Sequence, residues 1–334
     1  MFPLKIYAAQ EITVMDLDSG RILYESNSNQ KRLIASITKI MTAIVTIENI
    51  DLNKEITVGE EVLKSYGTNT YIEMGERITV KDLLYGLILR SGNDAALTLA
   101  VNVSKTEEEF VSLMNKKAKE IGMTNTHFEN PHGLDEDTKN NSTSHDMALL
   151  SRYANKNKLY KAISKTKKYS ISTNKKSYIW YNRNKLLSTY KFCTGGKNGY
   201  TPSAGKTLVT TASNKDLNLT IVTLNDPNIY ETHKNLYEEY FSKYEKYKII
   251  DKKTFKFDKS LIDKELFIKE SFSYPLMENE KDKIKTKVII DSKNSKQVGR
   301  IEILLENKKI GEITVYEKEK KEQSLFAKIK NWLF

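Results

Sequence analysis

A serine and a lysine stand three residues apart at the start of an apolar stretch, residues 34–43. Its apolar residues recur at helical spacing, so the pattern predicts the start of a helix with Ser36 and Lys39 on one side. A serine hydroxyl becomes nucleophilic when a base takes its proton, and burial lowers the pKa of a lysine enough for that task. A helix N-terminus also favours a developing oxyanion. Taken alone, this spacing more often belongs to an amphipathic helix with a solvated lysine.

A second polar motif, Ser91-Gly92-Asn93, interrupts two apolar stretches of helical periodicity. A short polar loop between buried helices holds a hydroxyl and an amide rigidly, as a catalytic cleft requires. Serine and asparagine beside glycine also commonly end one helix and begin the next. For this motif alone the pattern favours helix capping.

A third motif places Lys197 among glycines, in Gly195-Gly196-Lys197-Asn198-Gly199 at the predicted start of a strand. Glycines let a ligand lie against the strand backbone, where the lysine would supply positive charge. For this motif alone, a glycine-rich turn with a solvated lysine is the favoured explanation.

The composition excludes several classes of protein. The 334 residues suffice for one large domain and a smaller one, and 39% hydrophobic residues suffice for a core. No apolar run approaches the length of about 18 residues that predicts a transmembrane helix. Cys193 is the single cysteine, which rules out an internal disulfide and a cysteine zinc site. The four histidines lack ligand spacing, and we expect neither a metal nor a cofactor.

The net charge of +11 is unevenly distributed along the chain. Residues 147–215 contain no Asp or Glu but 15 Lys and Arg. Such a block creates a positive field that attracts anions, among which nucleic acid and a polyanionic cell envelope are candidates. A general lysine bias explains the block equally well. Nothing in the sequence resembles a nucleic-acid-binding module, so we do not expect nucleic acid as a partner.

Periodicity and turn signals predict the elements that carry these motifs. The predicted strands are residues 12–17 and 21–25, as a hairpin, then 56–58, 78–80, 169–172, 177–181, 206–212 and 217–224. The predicted helices after the first motif are two stretches on either side of 91–93, then 107–122, 146–154 and 233–244. From about residue 249 only strands are predicted, at 286–290, 299–305 and 308–316, which indicates a small separate β domain.

The two ends of the chain have their own patterns. Residues 1–9 are too short for a complete signal peptide, but Tyr7-Ala8-Ala9 is similar to the end of one, so we interpret them as a possible remnant. Residues 321–334 place their large apolar side chains on one helical face, which predicts an amphipathic helix lying on a membrane surface. A terminal helix docked on the β domain is the alternative.

Together, Ser-x-x-Lys, Ser-x-Asn and Lys-x-Gly in this order form the set found in penicillin-binding proteins and class A β-lactamases. Beyond these triplets, residues 10–246 resemble the serine-type D-alanyl-D-alanine carboxypeptidases, which are the low-molecular-mass penicillin-binding proteins. The stretches that carry this resemblance are Ala35-Ser36-Ile37-Thr38-Lys39-Ile40-Met41-Thr42, Leu83-Leu84-Tyr85-Gly86-Leu87, Ser91-Gly92-Asn93-Asp94-Ala95-Ala96, Asn130-Pro131-His132-Gly133-Leu134-Asp135, and Gly199-Tyr200-Thr201 with Ala204-Gly205.

The resemblance implies a fold and a location. Residues 10–246 are expected to form an α/β (α+β) catalytic domain of the serine β-lactamase/transpeptidase type, with an antiparallel sheet flanked by helices and a helical lobe. Residues 247–320 are expected to form the small all-β domain, and 321–334 the tail helix. The protein would be extracytoplasmic, secreted and attached peripherally to the outer face of the cell membrane, with the tail helix on its anionic surface.

Carried over to this sequence, the resemblance implies that Ser36 is the nucleophile and Lys39 its base. Ser91 would relay a proton to the leaving amine, and Asn93 would hold the peptide. Lys197 would supply positive charge for the terminal carboxylate of the substrate.

The remaining implied site residues follow on the same strand. Asn198, Gly199, Tyr200 and Thr201 would bind the substrate, and the backbone N–H groups of Ser36 and Tyr200 would form the oxyanion hole. The family usually has threonine where this chain has Asn198. An asparagine NH₂ can donate a hydrogen bond in roughly the same direction, and the loss of one charge-assisted hydrogen bond would cost about 1.5–3 kcal/mol.

The implied activity is removal of the terminal D-alanine from peptidoglycan stem pentapeptides through an acyl-enzyme, with β-lactams acylating the same serine. Two alternatives stay open: a peptidoglycan- and penicillin-binding protein whose turnover is weakened by Asn198, and a β-lactamase. A β-lactamase needs an acid to activate the deacylating water. Residues 147–215 offer none, whereas Glu73, Glu76 and the loop of His132 remain available.

Overall fold

The structure, a computed structural model, describes residues 11–258, 265–291 and 297–318. The chain forms two compact units that divide between Ser242 and Lys243. Among the described residues, no helix is both long and apolar enough to cross a membrane. The predicted signal-peptide remnant and tail helix lie outside the described residues, so both stay predictions.

The first unit carries all three motifs on a sheet and a group of helices. Its strands are β1 (Glu11–Asp16), β2 (Ile22–Ser26), β3 (Arg32–Leu33), β4 (Glu55–Thr57), β5 (Arg77–Thr79), β6 (Asn141–Ser142), β7 (Lys168–Ser172), β8 (Ser177–Tyr181), β9 (Cys193–Thr201), β10 (Gly205–Asn214) and β11 (Leu217–Leu224). Its helices are α1 (Lys39–Asn49), α2 (Val80–Tyr85), α3 (Asn93–Val103), α4 (Glu107–Ile121), α5 (Ser144–Ala154), α6 (Lys158–Lys165), α7 (Leu186–Thr189) and α8 (Ile229–Lys243). Turns of 3₁₀ helix cover Ala35–Thr38 and Glu60–Lys64, and a π-helical turn covers Gly86–Arg90.

Five strands form the central sheet, in the order β2-β1-β11-β10-β9. The predicted hairpin is confirmed, since β1 pairs antiparallel with β2, and β10 pairs antiparallel with β11. β1 also pairs with β11 along its whole length, so the start of the chain joins the late strands. β9 is an edge strand, and alternate N–H groups of an edge strand point away from its sheet. This position lets β9 form one side of a cleft.

Helices cover the sheet and form a lobe beside it. α5 packs against β1 and β11, and α6 packs against β9. α1 contacts α3, α4 and α5, and its residues from Lys39 to Thr46 are all buried. A helix that is buried on every side belongs to the centre of a core. The lobe is therefore assembled around the helix that carries the first motif.

One prediction about the motifs is confirmed and one is wrong in position. The helix starts where predicted, with Ser36 in a 3₁₀ turn that runs directly into α1 at Lys39. Lys197 does not open its strand but lies in the middle of β9, because the glycine-rich residues before it also pair with β10. Gly196 makes this pairing sterically feasible, since a Cβ there would lie 2.3 Å from the Val209 carbonyl oxygen.

The second unit is a β domain. Its strands are β12 (Glu245–Ile250), β13 (Leu266–Ile268), β14 (Phe272–Leu276), β15 (Ile284–Ile290), β16 (Gln297–Leu305) and β17 (Lys308–Glu317). β12 pairs with β14, and a separate sheet has the order β13-β17-β16-β15. The prediction of strands alone is corrected at Glu278–Lys283, which forms a short 3₁₀ helix. The predicted fold class, an antiparallel sheet with flanking helices followed by a small β domain, is confirmed.

Candidate active site

The Lys39 amine occupies the centre of the cleft. The side chain is fully buried, and Nζ lies 3.2 Å from Ser36 Oγ, 2.7 Å from Asn93 Oδ1 and 2.6 Å from the His132 carbonyl oxygen. The two carbonyl oxygens can only accept hydrogen bonds. A neutral amine therefore donates its two N–H groups to Asn93 and His132. Its lone pair then points to the third neighbour, the Ser36 hydroxyl.

The surroundings favour this neutral amine. Burial is the largest cause that lowers the pKa of Lys39 well below its usual value, and Lys197 and Arg183 lower it further by charge repulsion. The carboxylate of Asp94 opposes them. A lysine with a lowered pKa can accept a proton near neutral pH, which an ordinary solvated lysine cannot do. The electrostatics thus prepare Lys39 as a base.

The Ser36 turn is held from two sides. Ala35 is buried with φ of 49°, a left-handed conformation that residues other than glycine seldom adopt. Gly133 packs against it so closely that a Cβ would lie 2.0 Å from the Ala35 carbonyl oxygen. Thr207 Oγ1 donates a 3.0 Å hydrogen bond to the Ile34 carbonyl. Strained backbone persists where the surrounding structure fixes it, and here it places Ser36 beside Lys39.

The second motif ends one helix and begins the next, as the capping interpretation predicts, and it also lines the cleft. The π-helical turn ends at Ser91, which has φ of 67° and is 4% exposed. Asn93 begins α3 without capping it: Oδ1 accepts the hydrogen bond from Lys39, and Nδ2 donates a 2.6 Å bond to the Tyr66 carbonyl. Such π-helical turns occur frequently at functional sites. The asparagine therefore serves the lysine rather than the helix.

Asp94 ties a neighbouring loop to the second motif. Its Oδ1 accepts hydrogen bonds from the N–H groups of Thr70 (2.9 Å) and Ala95 (2.8 Å). Its Oδ2 accepts from Tyr71 (2.6 Å) and Ile72 (3.3 Å). Tyr71 has φ of 66° although its side chain is 60% exposed. The buried carboxylate therefore fixes a strained loop beside the cleft.

Lys197 is the second buried lysine of the site. Burial, followed by the charge of Arg183, lowers the pKa of Lys197 to about 7. Its Nζ donates a 2.6 Å hydrogen bond to the Asn198 carbonyl. Gly199 lies against the Ser36 turn, since a Cβ there would be 2.7 Å from the Ser36 nitrogen. The structure thus brings the third motif to the first.

Asn198 and Tyr200 lie on β9 on either side of Gly199. Both line a cavity of about 510 Å³, together with Lys185, Lys206 and Tyr230. The Tyr200 side chain is 64% exposed. These two side chains therefore face open space beside the cleft.

Thr201 is bound to the loop that contains His132. Its hydroxyl donates a 2.6 Å hydrogen bond to Asp135 Oδ2 and accepts a 3.0 Å bond from the Ala204 N–H. The threonine thereby connects this loop to the turn between β9 and β10. Its hydroxyl is already engaged in the protein itself.

Two groups of the site were missed by the sequence analysis. Burial, and then the charge of Lys39, lowers the pKa of His132 to about 3, so its ring is neutral and its Nδ1 accepts a 3.1 Å bond from the Leu134 N–H. Arg183 donates a 3.1 Å bond to Thr68 Oγ1 and lowers the pKa of both buried lysines. His132 contacts the base through its backbone carbonyl, which the residue type does not reveal. For Arg183, the only signal in the sequence was its place in the basic segment 147–215.

The arrangement combines the parts of a nucleophilic catalyst. It offers a hydroxyl, a base with its lone pair on that hydroxyl, further polar groups and a positive charge within one cleft. In the described part of the chain, no group of three or more His, Cys, Asp or Glu side chains is placed to hold a metal ion. This set of groups is suited to acyl transfer.

Known proteins are similar to this chain in sequence. A model of the D-alanyl-D-alanine carboxypeptidase family matches residues 3–228, and one of the penicillin-binding protein 5 C-terminal domain matches residues 239–323. D-alanyl-D-alanine carboxypeptidase DacF of Bacillus subtilis (strain 168) is 36% identical over 215 residues, which cover 62% of this chain and 54% of that protein. DacB2 of Mycobacterium tuberculosis (strain ATCC 25618 / H37Rv) is 34% identical over 212 residues, which cover 63% and 72%. The matched region spans about half the length of DacF.

A solved structure is similar over nearly the whole chain. Penicillin binding protein 6B from Escherichia coli has 28% sequence identity and a TM-score of 0.73, and the match covers 94% of this chain and 96% of that one. The family model itself matches well over half of the residues. The chain therefore belongs to the D-alanyl-D-alanine carboxypeptidase family.

Proposed function

We propose that this chain is a serine D,D-carboxypeptidase that removes the terminal D-alanine from peptidoglycan stem peptides. The observation that carries the proposal is the buried Lys39 amine, which lies 3.2 Å from Ser36 Oγ and donates to the carbonyl oxygens of Asn93 and His132. This environment leaves one lone pair, and it faces the serine hydroxyl. A serine activated in this way attacks a carbonyl carbon.

The reaction passes through an acyl-enzyme. Lys39 accepts the Ser36 proton while Oγ bonds to the carbonyl carbon between the two terminal D-alanines. The backbone N–H groups of Ser36 and Tyr200 stabilise the oxyanion. When the tetrahedral intermediate collapses, the C–N bond breaks, and the proton passes through Ser91 to the amine of the departing D-alanine. A water molecule then hydrolyses the ester, which releases the shortened peptide and restores the hydroxyl.

The positive part of the cleft selects a peptide that ends in a carboxylate. Lys197 supplies charge, and the NH₂ of Asn198 donates the hydrogen bond that a threonine supplies elsewhere in the family. Gly199 and Thr201 shape the same strand, and Asn93 holds the peptide opposite it. β-Lactams acylate the same serine and leave slowly, because the departing nitrogen remains attached to the acyl group.

The substrate defines where the protein works. Peptidoglycan lies outside the cytoplasmic membrane, so we propose an extracytoplasmic enzyme attached peripherally to the outer face of that membrane. The apolar periodicity of residues 321–334 supports attachment to an anionic membrane surface.

The decisive experiment combines intact-mass analysis after incubation with benzylpenicillin and D-alanine release from a peptide ending in Lys-D-Ala-D-Ala. We expect a stoichiometric adduct and D-alanine release from the wild type, and neither from Ser36→Ala. An adduct without D-alanine release would identify a penicillin-binding protein weakened by Asn198. Fast hydrolysis of the penicillin would identify a β-lactamase. The absence of any adduct would overturn the proposal.

A further inference from the structure

The acid-free segment, residues 147–215, carries more charge than the cleft uses. Lys197 belongs to the cleft, Lys175 and Lys176 form ion pairs with Glu73, and Arg152 donates to two backbone carbonyls. The other lysines of the segment are exposed. Within the described chain none of these exposed lysines forms an ion pair. Their charge is therefore available to an external anion.

Three of the exposed lysines surround one cavity. Lys165, Lys167 and Lys191 line a cavity of about 430 Å³, together with the hydroxyl-bearing Ser188 and Thr189. No carboxylate is among the residues that line it. Lysine ammonium groups and hydroxyls are the groups that bind phosphate oxygens. The cavity therefore has the chemistry of a site for a phosphate group.

A row of lysines leads to this cavity along α6. Lys158, Lys161 and Lys165 follow each other at helical spacing and are all exposed. One helical turn rises about 5.4 Å, so the row presents a positive charge about every turn. A single anion would occupy the cavity alone, whereas a chain of regularly spaced anions would contact the row as well.

We propose that this basic surface, formed by Lys158, Lys161, Lys165, Lys167 and Lys191, binds a linear phosphodiester polymer. One phosphate enters the cavity, and its neighbours along the polymer lie on the row of α6. Each contact releases counterions from the polymer, so several weak contacts add up to useful affinity at moderate salt. α6 packs against β9, so the bound polymer would be held on the unit that contains the cleft.

The cavity fits two other polyanions less well, although Tyr181, which pairs with Lys168 between β7 and β8, is 60% exposed beside it. Single-stranded nucleic acid is bound through exposed aromatic rings on which bases stack, but the ring that lines the cavity, Tyr190, is 5% exposed. An anionic membrane is bound through apolar side chains that insert between lipids, but Leu187 of the cavity is 7% exposed. A polymer of phosphates on a polyol or sugar backbone needs neither feature.

The test uses the full-length protein and a fluorescein-labelled synthetic glycerol-phosphate decamer. Its affinity is measured by fluorescence anisotropy over a series of NaCl concentrations. The substituted protein is Lys161→Gln/Lys165→Gln/Lys191→Gln, and the matched control with the same loss of charge is Lys105→Gln/Lys116→Gln/Lys119→Gln. We expect the triple glutamine variant of the surface to bind the decamer at least about tenfold more weakly than the wild type. The slope of log K against log [salt] should also become less steep by about 2, because each of three lost phosphate contacts to a flexible strand contributes about 0.7. The control should stay within about twofold of the wild type.

A third variant, Lys161→Arg/Lys165→Arg/Lys191→Arg, keeps the charge and should retain binding. D-Alanine release should be unchanged in all three proteins, so a failed carboxypeptidase assignment would leave this result untouched. Equal losses in the two glutamine variants would attribute binding to net charge and overturn the proposal. Tighter binding of oligothymidylate or of phosphatidylglycerol vesicles at matched phosphate would also overturn it. The proposal would also be overturned if inorganic phosphate, at the same total phosphate concentration as the decamer, displaced the decamer completely, because a single anion would then suffice.

Discussion

The two sides of the cleft are built differently. On the helical wall, which consists of the 3₁₀ turn, α1 and the start of α3, the key side chains are tied by several hydrogen bonds: Lys39 meets three groups, and Asn93 two. On the strand wall, which is β9, Lys197 donates to the carbonyl of its neighbour, while Asn198 and Tyr200 face a cavity. Groups that are held in place before the reaction are suited to bond formation, whereas a strand that borders a cavity is suited to binding a substrate.

Each wall also holds one buried lysine, and the pKa of each is lowered. Burial, followed by repulsion from Lys197, lowers the pKa of Lys39 well below its usual value, which favours the neutral, basic amine. The pKa of Lys197 is lowered to about 7, so it still carries charge near neutral pH. Under the proposed function, proton transfer then falls to the helical wall and attraction of a carboxylate to the strand wall.

Lys39→Met gives the largest expected effect, because it removes the base and keeps the volume of the side chain. We expect the rate of acylation by penicillin to fall about 10²- to 10⁴-fold, the usual contribution of a general base. Stopped-flow acylation measures this rate, and circular dichroism checks the fold. Lys197→Met is the matched change on the strand wall and should mainly raise KM. Equal losses of acylation rate at saturation in both variants would remove the distinction between the walls.

Asp94→Asn tests how far the helical wall depends on its supporting loop. The new NH₂ would face backbone N–H groups that the carboxylate now binds, such as that of Tyr71, at a cost of about 1–3 kcal/mol. We expect kcat to fall about tenfold. Because Asp94 raises the pKa of Lys39, its loss should also move the acid limb of the kcat/KM profile to lower pH. A variant with a lower kcat and an unmoved acid limb would show a purely structural role.

The sequence predicted the parts of this cleft that depend on local patterns. Apolar periodicity located α4 and α5, strand patterns located β1, β2, β10 and β11, and residue types identified the three motifs. The hydrogen bond from Lys39 to the Asn93 side chain was not predicted, because the two residues are distant along the chain. The carbonyl of His132 carries no signal, because every residue has one.

Asn198→Ala examines the strand wall with a smaller expected effect. Loss of the amide should raise KM about tenfold and change kcat less than about twofold, since a hydrogen bond to a charged group contributes about 1.5 kcal/mol or more. Asn198→Thr restores the residue usual in the family and should lower KM about threefold or more. Steady-state D-alanine release measures both. A change in kcat as large as the change in KM would show that this wall takes part in bond formation.

The smallest expected effect is the response of KM to pH. Because the pKa of Lys197 is lowered to about 7, its ammonium form prevails below that pH and is lost above it. Attraction of the substrate carboxylate should therefore weaken as pH rises, and KM should increase about threefold between pH 6.5 and 7.5, in proportion to the charged fraction. Lys197→Arg keeps its charge throughout this range, so its KM should stay flat whatever its absolute value. An arginine variant whose KM rises as steeply as that of the wild type would place the titrating group elsewhere and leave the strand wall without its assigned charge.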